Sequence, residues 1–152
     1  MITLQFVAEA NLPSWGIRYW TAGPFSHVDT VLDDGQLLGA RADGGVAIRP
    51  GNYAKFSKIT QVYLSARDTQ ERVFHTFEDA QLGKPYDHSA IWGFAANRDW
   101  RDPQKWFCSE LVLAALEESQ WCPPLDIPSN KVTPVSLYLI VTARGGVAKT
   151  IL

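Results

Sequence analysis

Two cysteines, three histidines and a tyrosine after a Gly-x-Pro turn are the residues from which this chain could assemble a reactive centre. Cys108 stands in Trp106-Phe107-Cys108-Ser109-Glu110-Leu111, where an apolar pattern of helical spacing begins; the pattern predicts a helix from Cys108 to about Ser119. A thiol in a helix's first turn meets unpaired backbone N–H groups and the positive end of the dipole. Both favour the thiolate, the form that attacks carbonyl carbon. The competing role is structural, because free cysteine is among the most buried residue types. Cys108 also shares the helix's apolar side with Leu111, Val112, Ala115 and Leu116. His27, at the start of an expected strand in Pro24-Phe25-Ser26-His27-Val28, can face such a helix and serve as the base of a Cys–His pair. A satisfied structural histidine is its alternative.

The other candidates are weaker. His75 borders the apolar side of a surface helix, and His88 follows Tyr86-Asp87 in a loop, which leaves it as a second base. In Gly83-Lys84-Pro85-Tyr86-Asp87 the Tyr86 hydroxyl can donate to a developing oxyanion, although the segment also reads as a plain helix end and turn. Serine chemistry has no support: no GxSxG elbow is present, and Ser109 follows Cys108 inside a helix. The cysteines form no CxxC and no zinc spacing with the histidines, so no metal or cofactor is expected. A helix along the 14 residues from Cys108 to Cys122 separates them by roughly 20 Å, against the ~7 Å a disulfide tolerates, so both are read as free thiols.

The elements that must position these residues follow from pattern. Strands are predicted over Ile2–Val7, His27–Leu32, Gln36–Ala40, Gly45–Ile48, Lys58–Ser65 and Ser136–Thr142. Asp33-Asp34-Gly35 and Asp43-Gly44 supply tight turns between them. An aromatic-rich connection, Leu12–Phe25, carries Trp15, Tyr19 and Trp20. One helix is predicted from Asp68, capped by its carboxylate with Glu71 three residues on. Val73, Phe74, Phe77 and Gln81/Leu82 form its inner side, and Gly83 and Pro85 end it. The Cys108 helix is the second, closed by Pro123-Pro124. Clustered strands with two helices make an α+β pattern, and no repeat or linker divides residues 1–152, so one domain is expected.

Composition excludes other classes. Of 152 residues 46% are hydrophobic and 20% charged, which suits a packed core rather than disorder. Lys and Arg number 14 and Asp and Glu 16, a net charge of −2 without a basic stripe, so no nucleic-acid partner is expected. No window reaches the ~20 apolar residues of a membrane span, and MITLQFVAEANLPSW lacks the form of a signal peptide. A cytoplasmic protein is expected, with release by lysis, phage or secretion machinery as the route outward. The sequence does not speak to oligomeric state.

Three of these segments together resemble the motifs of the permuted papain-like, NlpC-type cysteine hydrolases, a group related to the lecithin:retinol acyltransferase-like proteins. The segments are Ser26-His27-Val28, Gly83-Lys84-Pro85-Tyr86 and Trp106-Phe107-Cys108-Ser109-Glu110-Leu111-Val112. His27 precedes Cys108, the permuted order. The resemblance implies an antiparallel sheet packed against a central Cys-bearing helix, with Cys108 as nucleophile, His27 as base and Tyr86 near the oxyanion. It implies hydrolysis of amide bonds in peptidoglycan peptides or similar small amides through a thioester. A catalytically silent module of the same fold, and a lipid or amine acyltransferase, are the alternatives. One departure stands out: where the group carries a polar third residue about a dozen positions after the histidine, this chain has Gly39. Asp29, two residues from His27 on the same strand face, or a water is the expected substitute, and an acceptor introduced as Gly39→Asn is expected to keep or raise activity.

Overall fold

The computed structural model describes residues 1–9, 23–87 and 105–152. Six strands form one antiparallel sheet: β1 (Ile2–Glu9), β2 (His27–Val31), β3 (Leu37–Arg41), β4 (Gly45–Arg49), β5 (Phe56–Leu64) and β6 (Val147–Thr150). Their order across the sheet is β4-β3-β2-β1-β5-β6, so the His27 strand lies between β1 and β3 near the middle. Among the described residues three α-helices accompany it: α1 (Asp68–Asp79), α2 (Cys108–Glu118) and α3 (Pro134–Ala143).

Alternation along the strands makes the core. Ile2, Leu4 and Phe6 of β1, Val28 of β2, Leu38 and Ala40 of β3, and Val62 and Leu64 of β5 are all fully buried. They form one apolar cluster with Phe74 of α1 and with Leu111, Val112, Ala115 and Leu116 of α2. The helix α2 is the central one: Ser109, Glu110 and Leu113 are buried as well, so its first two turns are enclosed on every side. Its buried polar groups find partners. Ser109 Oγ donates to the Val132 carbonyl at 2.5 Å, and a Glu110 carboxylate oxygen accepts the Phe107 N–H at 3.4 Å, closing the N-terminus.

Several expectations need correction. The apolar run Ser136–Thr142 is not a strand but the body of α3. Thr133 Oγ1 accepts the Ser136 N–H at 3.1 Å and Pro134 occupies the first turn, a strong helix start. Leu137 and Val141, four apart, are buried together, so packing at helical period outweighs the strand preference of Ile140, Val141 and Thr142. The sixth strand is β6, whose four residues are all exposed and give no apolar signal. Helix α1 is capped one residue earlier than expected, with Gln70 Oε1 accepting the Arg67 N–H at 3.1 Å. Phe74 and Phe77 face the core and Gln81 is buried as expected, joined by Glu78, while Val73 and Leu82 are exposed. Glu78 is fully buried: Thr30 Oγ1 donates to Oε1 at 2.7 Å and burial raises its pKa well above the usual carboxylate range. The helix ends at Asp79, so Gly83 does not cap it. Instead Gly83 donates to the Val46 carbonyl and ties the following turn to β4.

Candidate active site

His27 opens β2, and Asp29, two residues on, shares its face of the strand. The two are joined directly: His27 Nε2 lies 2.7 Å from Asp29 Oδ1, and both side chains are buried. Sequence offered Asp29 or a water as substitute for the absent third residue, and Asp29 is the one in contact. The room for it comes from Gly39. The β2–β3 pairing of Thr30 with Leu38, continued by one step, sets Asp29 opposite Gly39, where a Cβ would land on Asp29 Oδ1. An acceptor supplied by Gly39→Asn therefore has no space, contrary to expectation: the carboxylate already fills the position that a side chain from β3 would occupy.

Cys108 is the first residue of α2. The two strand residues and this thiol meet electrostatically at the imidazole. Burial alone would lower the His27 pKa, but the charges of Asp29 and Cys108, with hydrogen bonds to both, outweigh it and push it up to about 10. His27 thus has the Asp29 carboxylate on Nε2 and the Cys108 thiol among its neighbours, and both favour its charged form. Cys108 is only 1% exposed and His27 6%, so the pair is enclosed rather than set in an open cleft.

The turn Gly83-Lys84-Pro85-Tyr86 is delivered to the thiol by backbone pairing. Trp106 N–H donates to the Pro85 carbonyl at 3.1 Å and Asp87 N–H to the Trp106 carbonyl at 3.0 Å, so the Tyr86 segment runs beside the residues that enter α2. On its other side Val46 N–H donates to the Lys84 carbonyl at 2.9 Å. This approach requires glycine at position 45, where φ is +66° and a Cβ would strike that carbonyl oxygen. Tyr86 is 7% exposed, its ring centroid 5.8 Å from that of Phe107. Burial first, and then the charge of Cys108, raise the phenol's pKa well above its ordinary value, so the hydroxyl keeps its proton.

The remaining sequence candidates fall away from this cluster or outside the described residues. His75 is half-buried on α1, its ring edge-on to Phe74 with centroids 5.3 Å apart. His88, and the aromatics Trp15, Tyr19 and Trp20 of the connection after β1, lie outside the described residues. Cys122 is also a free thiol buried in the core, and burial raises its pKa above the usual value. Sequence reasoning missed Tyr53, whose hydroxyl donates to Asp29 Oδ2 at 2.7 Å from the β4–β5 connection. No local signal could have found it, because the contact joins residues 24 apart across three strands.

Comparison with known proteins yields a structural likeness only. No family model matches the chain, and no curated protein matches it. Among solved structures it is similar to the metalloprotein yiiX from Escherichia coli O157:H7, described as DUF1105, at 19% identity and a TM-score of 0.58. The match covers 80% of this chain and 66% of that one, and at such identity the likeness is one of fold. Among the described residues no three His, Cys, Asp or Glu side chains group to hold a metal ion.

Proposed function

We propose that this protein is a cysteine hydrolase in which Cys108 attacks an amide or ester carbonyl, His27 carries the proton and Asp29 orients His27. The observation that carries the reading is the His27 imidazole held between Asp29 Oδ1 and Cys108, with its pKa pushed up to about 10. The architecture we infer for it is the permuted papain-like one. The antiparallel sheet, the central helix that begins at Cys108 and the order of His27 before Cys108 support this.

In this reading the reactive form of the pair is a Cys108 thiolate beside the His27 imidazolium. The Cys108 sulfur forms a bond to the carbonyl carbon, and the carbonyl π electrons move to oxygen. The Tyr86 hydroxyl is the donor we assign to that oxyanion. On collapse, the C–N or C–O bond breaks as His27 gives its proton to the leaving group, which leaves a thioester on Cys108 and a neutral imidazole. Neutral His27 then takes a proton from water, the hydroxide adds to the thioester, and release of the acid restores the ion pair. Asp29 keeps the ring oriented throughout and stabilises its charged form. Small peptide amides, such as those of peptidoglycan, are the substrate class we propose from the resemblance of the three motifs.

Enclosure of Cys108 and His27 favours one rival, a binding module that retains the fold without turnover. Incubation with an activated aryl ester, followed by intact-protein mass spectrometry, separates the readings. A hydrolase shows an acyl adduct on Cys108 that decays in water, and Cys108→Ser shows no thioester. A silent module shows no adduct at any time. Adding an amine during the decay tests for transfer: amide product at the expense of acid would make the enzyme an acyltransferase instead.

A further inference from the structure

Asp29 is buried, and a carboxylate with a single partner could turn about its Cβ–Cγ bond and lose its alignment with His27. Here both oxygens are taken: Oδ1 by His27 Nε2 and Oδ2 by the Tyr53 hydroxyl, each at 2.7 Å. Tyr53 is itself held. The Arg41 guanidinium lies over its ring at 4.5 Å, with Arg41 Nη1 donating to the hydroxyl oxygen at 3.3 Å, and Phe56 packs edge-on with centroids 5.3 Å apart. Arg41 is anchored in turn by ion pairs to Glu9 and Asp43.

We propose that Tyr53 is a positioning residue of this site: its hydroxyl locks the Asp29 carboxylate in the orientation that holds His27 against Cys108. Arg41 orients the phenol while leaving its proton for Asp29, because a guanidinium can only donate. The chain of contacts runs Glu9–Arg41–Tyr53–Asp29–His27 and ends at the thiol. Tyr53 touches no reacting atom. Its effect passes through Asp29, and this separates it from a residue that merely packs the β4–β5 connection.

The inference rests on the cysteine-hydrolase reading, and a double-mutant cycle tests it separately. The measurement is the rate of Cys108 alkylation by iodoacetamide at pH 6, with thermal unfolding as a check on folding, in wild type, Tyr53→Phe, Asp29→Asn and the double variant. Tyr53→Phe keeps the ring beneath Arg41 and removes only the donor. The expected result is a loss of about ten-fold in the wild-type background and less than about two-fold in the Asp29→Asn background, the signature of coupled residues. Equal losses in both backgrounds, or none in either, overturn the proposal, since a packing role is indifferent to Asp29. If Tyr53→Phe does not fold, the same cycle is run with Tyr53→Leu, which also removes the donor; equal losses in both backgrounds again overturn it. A wild-type Cys108 whose alkylation does not depend on His27 would sink the hydrolase reading and this inference with it. A His27-dependent Cys108 without the coupling sinks this inference alone.

Discussion

The carboxylate of Asp29 occupies the space that a side chain at Gly39 would need, so the partner of His27 comes from the histidine's own strand rather than from the neighbouring one. Glycine at position 39 and aspartate at position 29 are thus one feature: a side chain added at 39 must displace the Asp29 carboxylate. Gly39→Ala is expected to cost about 1–3 kcal/mol of stability, typical of overpacking a filled interior. Gly39→Asn is expected to cost more and to displace Asp29 from His27. Urea unfolding of both variants is the measurement, and unchanged stability in Gly39→Asn would show that the carboxylate can move aside at no cost.

Asp29→Asn keeps the shape of the third residue and removes its charge. The amide can still meet the ring, but it no longer stabilises imidazolium, and the neutral ring's preferred tautomer can change. Hydrolysis should fall by something on the order of 10²–10⁴-fold, within the range seen when such an orienting carboxylate is neutralised. The His27 pKa, read from ring resonances in NMR, should drop from about 10 toward the ordinary value. A variant with wild-type rate and an unmoved His27 titration would contradict the assignment of Asp29.

The pH dependence of stability has a definite sign. His27 is raised from 6.5 to about 10, so folding favours its protonated form. The stabilisation is fully present below about pH 6.5 and is lost as pH rises through about 10. Other groups titrate in the same window, and a thiolate at Cys108 would offset the proton on His27, so the comparison is made in Cys108→Ser protein with and without His27→Gln. The stability gap between those two proteins should shrink as pH rises from 6.5 toward 10. A gap that stays constant or widens over this range would mean that His27 is not held as an imidazolium.

Tyr86 is assigned to the oxyanion and not to the ion pair, which gives two readouts that should part company. Tyr86→Phe removes the hydroxyl and keeps the ring against Phe107. Ester or amide turnover is expected to fall by about 10²–10³-fold, the usual effect of deleting one oxyanion donor. Alkylation of Cys108, which forms no oxyanion, should change little. Loss of both would assign Tyr86 to the thiolate instead.

Much of this arrangement is legible in the sequence because it is local. Asp33-Asp34-Gly35 fixes a hairpin, strand alternation puts Asp29 beside His27, and the apolar pattern from Cys108 marks the start of the central helix. Contacts made across the sheet are not legible. Tyr53 reaches Asp29 only after β3 and β4 have folded back, and the fit of Asp29 into the gap at Gly39 depends on strand register. The segment Ser136–Thr142 misled for a related reason: its β-branched residues favour a strand, and only the cap at Thr133 and the docking of Leu137 and Val141 decide for a helix. Glu78 was hidden because a carboxylate on a helix reads as solvent-facing until Thr30 is seen beneath it.

The central claim is that Cys108 and His27 form a working ion pair, and alkylation resolved by residue and by pH tests it most directly. Cys108 and Cys122 are both buried, so access slows each, and the His27 variant separates ionisation from exposure. Peptide mass spectrometry after iodoacetamide treatment between pH 5 and 10 should show Cys108 modified well ahead of Cys122 at pH 6. The preference should vanish in His27→Ala and persist in His75→Ala. Equal rates at the two cysteines at pH 6, or a Cys108 rate that His27→Ala leaves unchanged, would contradict the account.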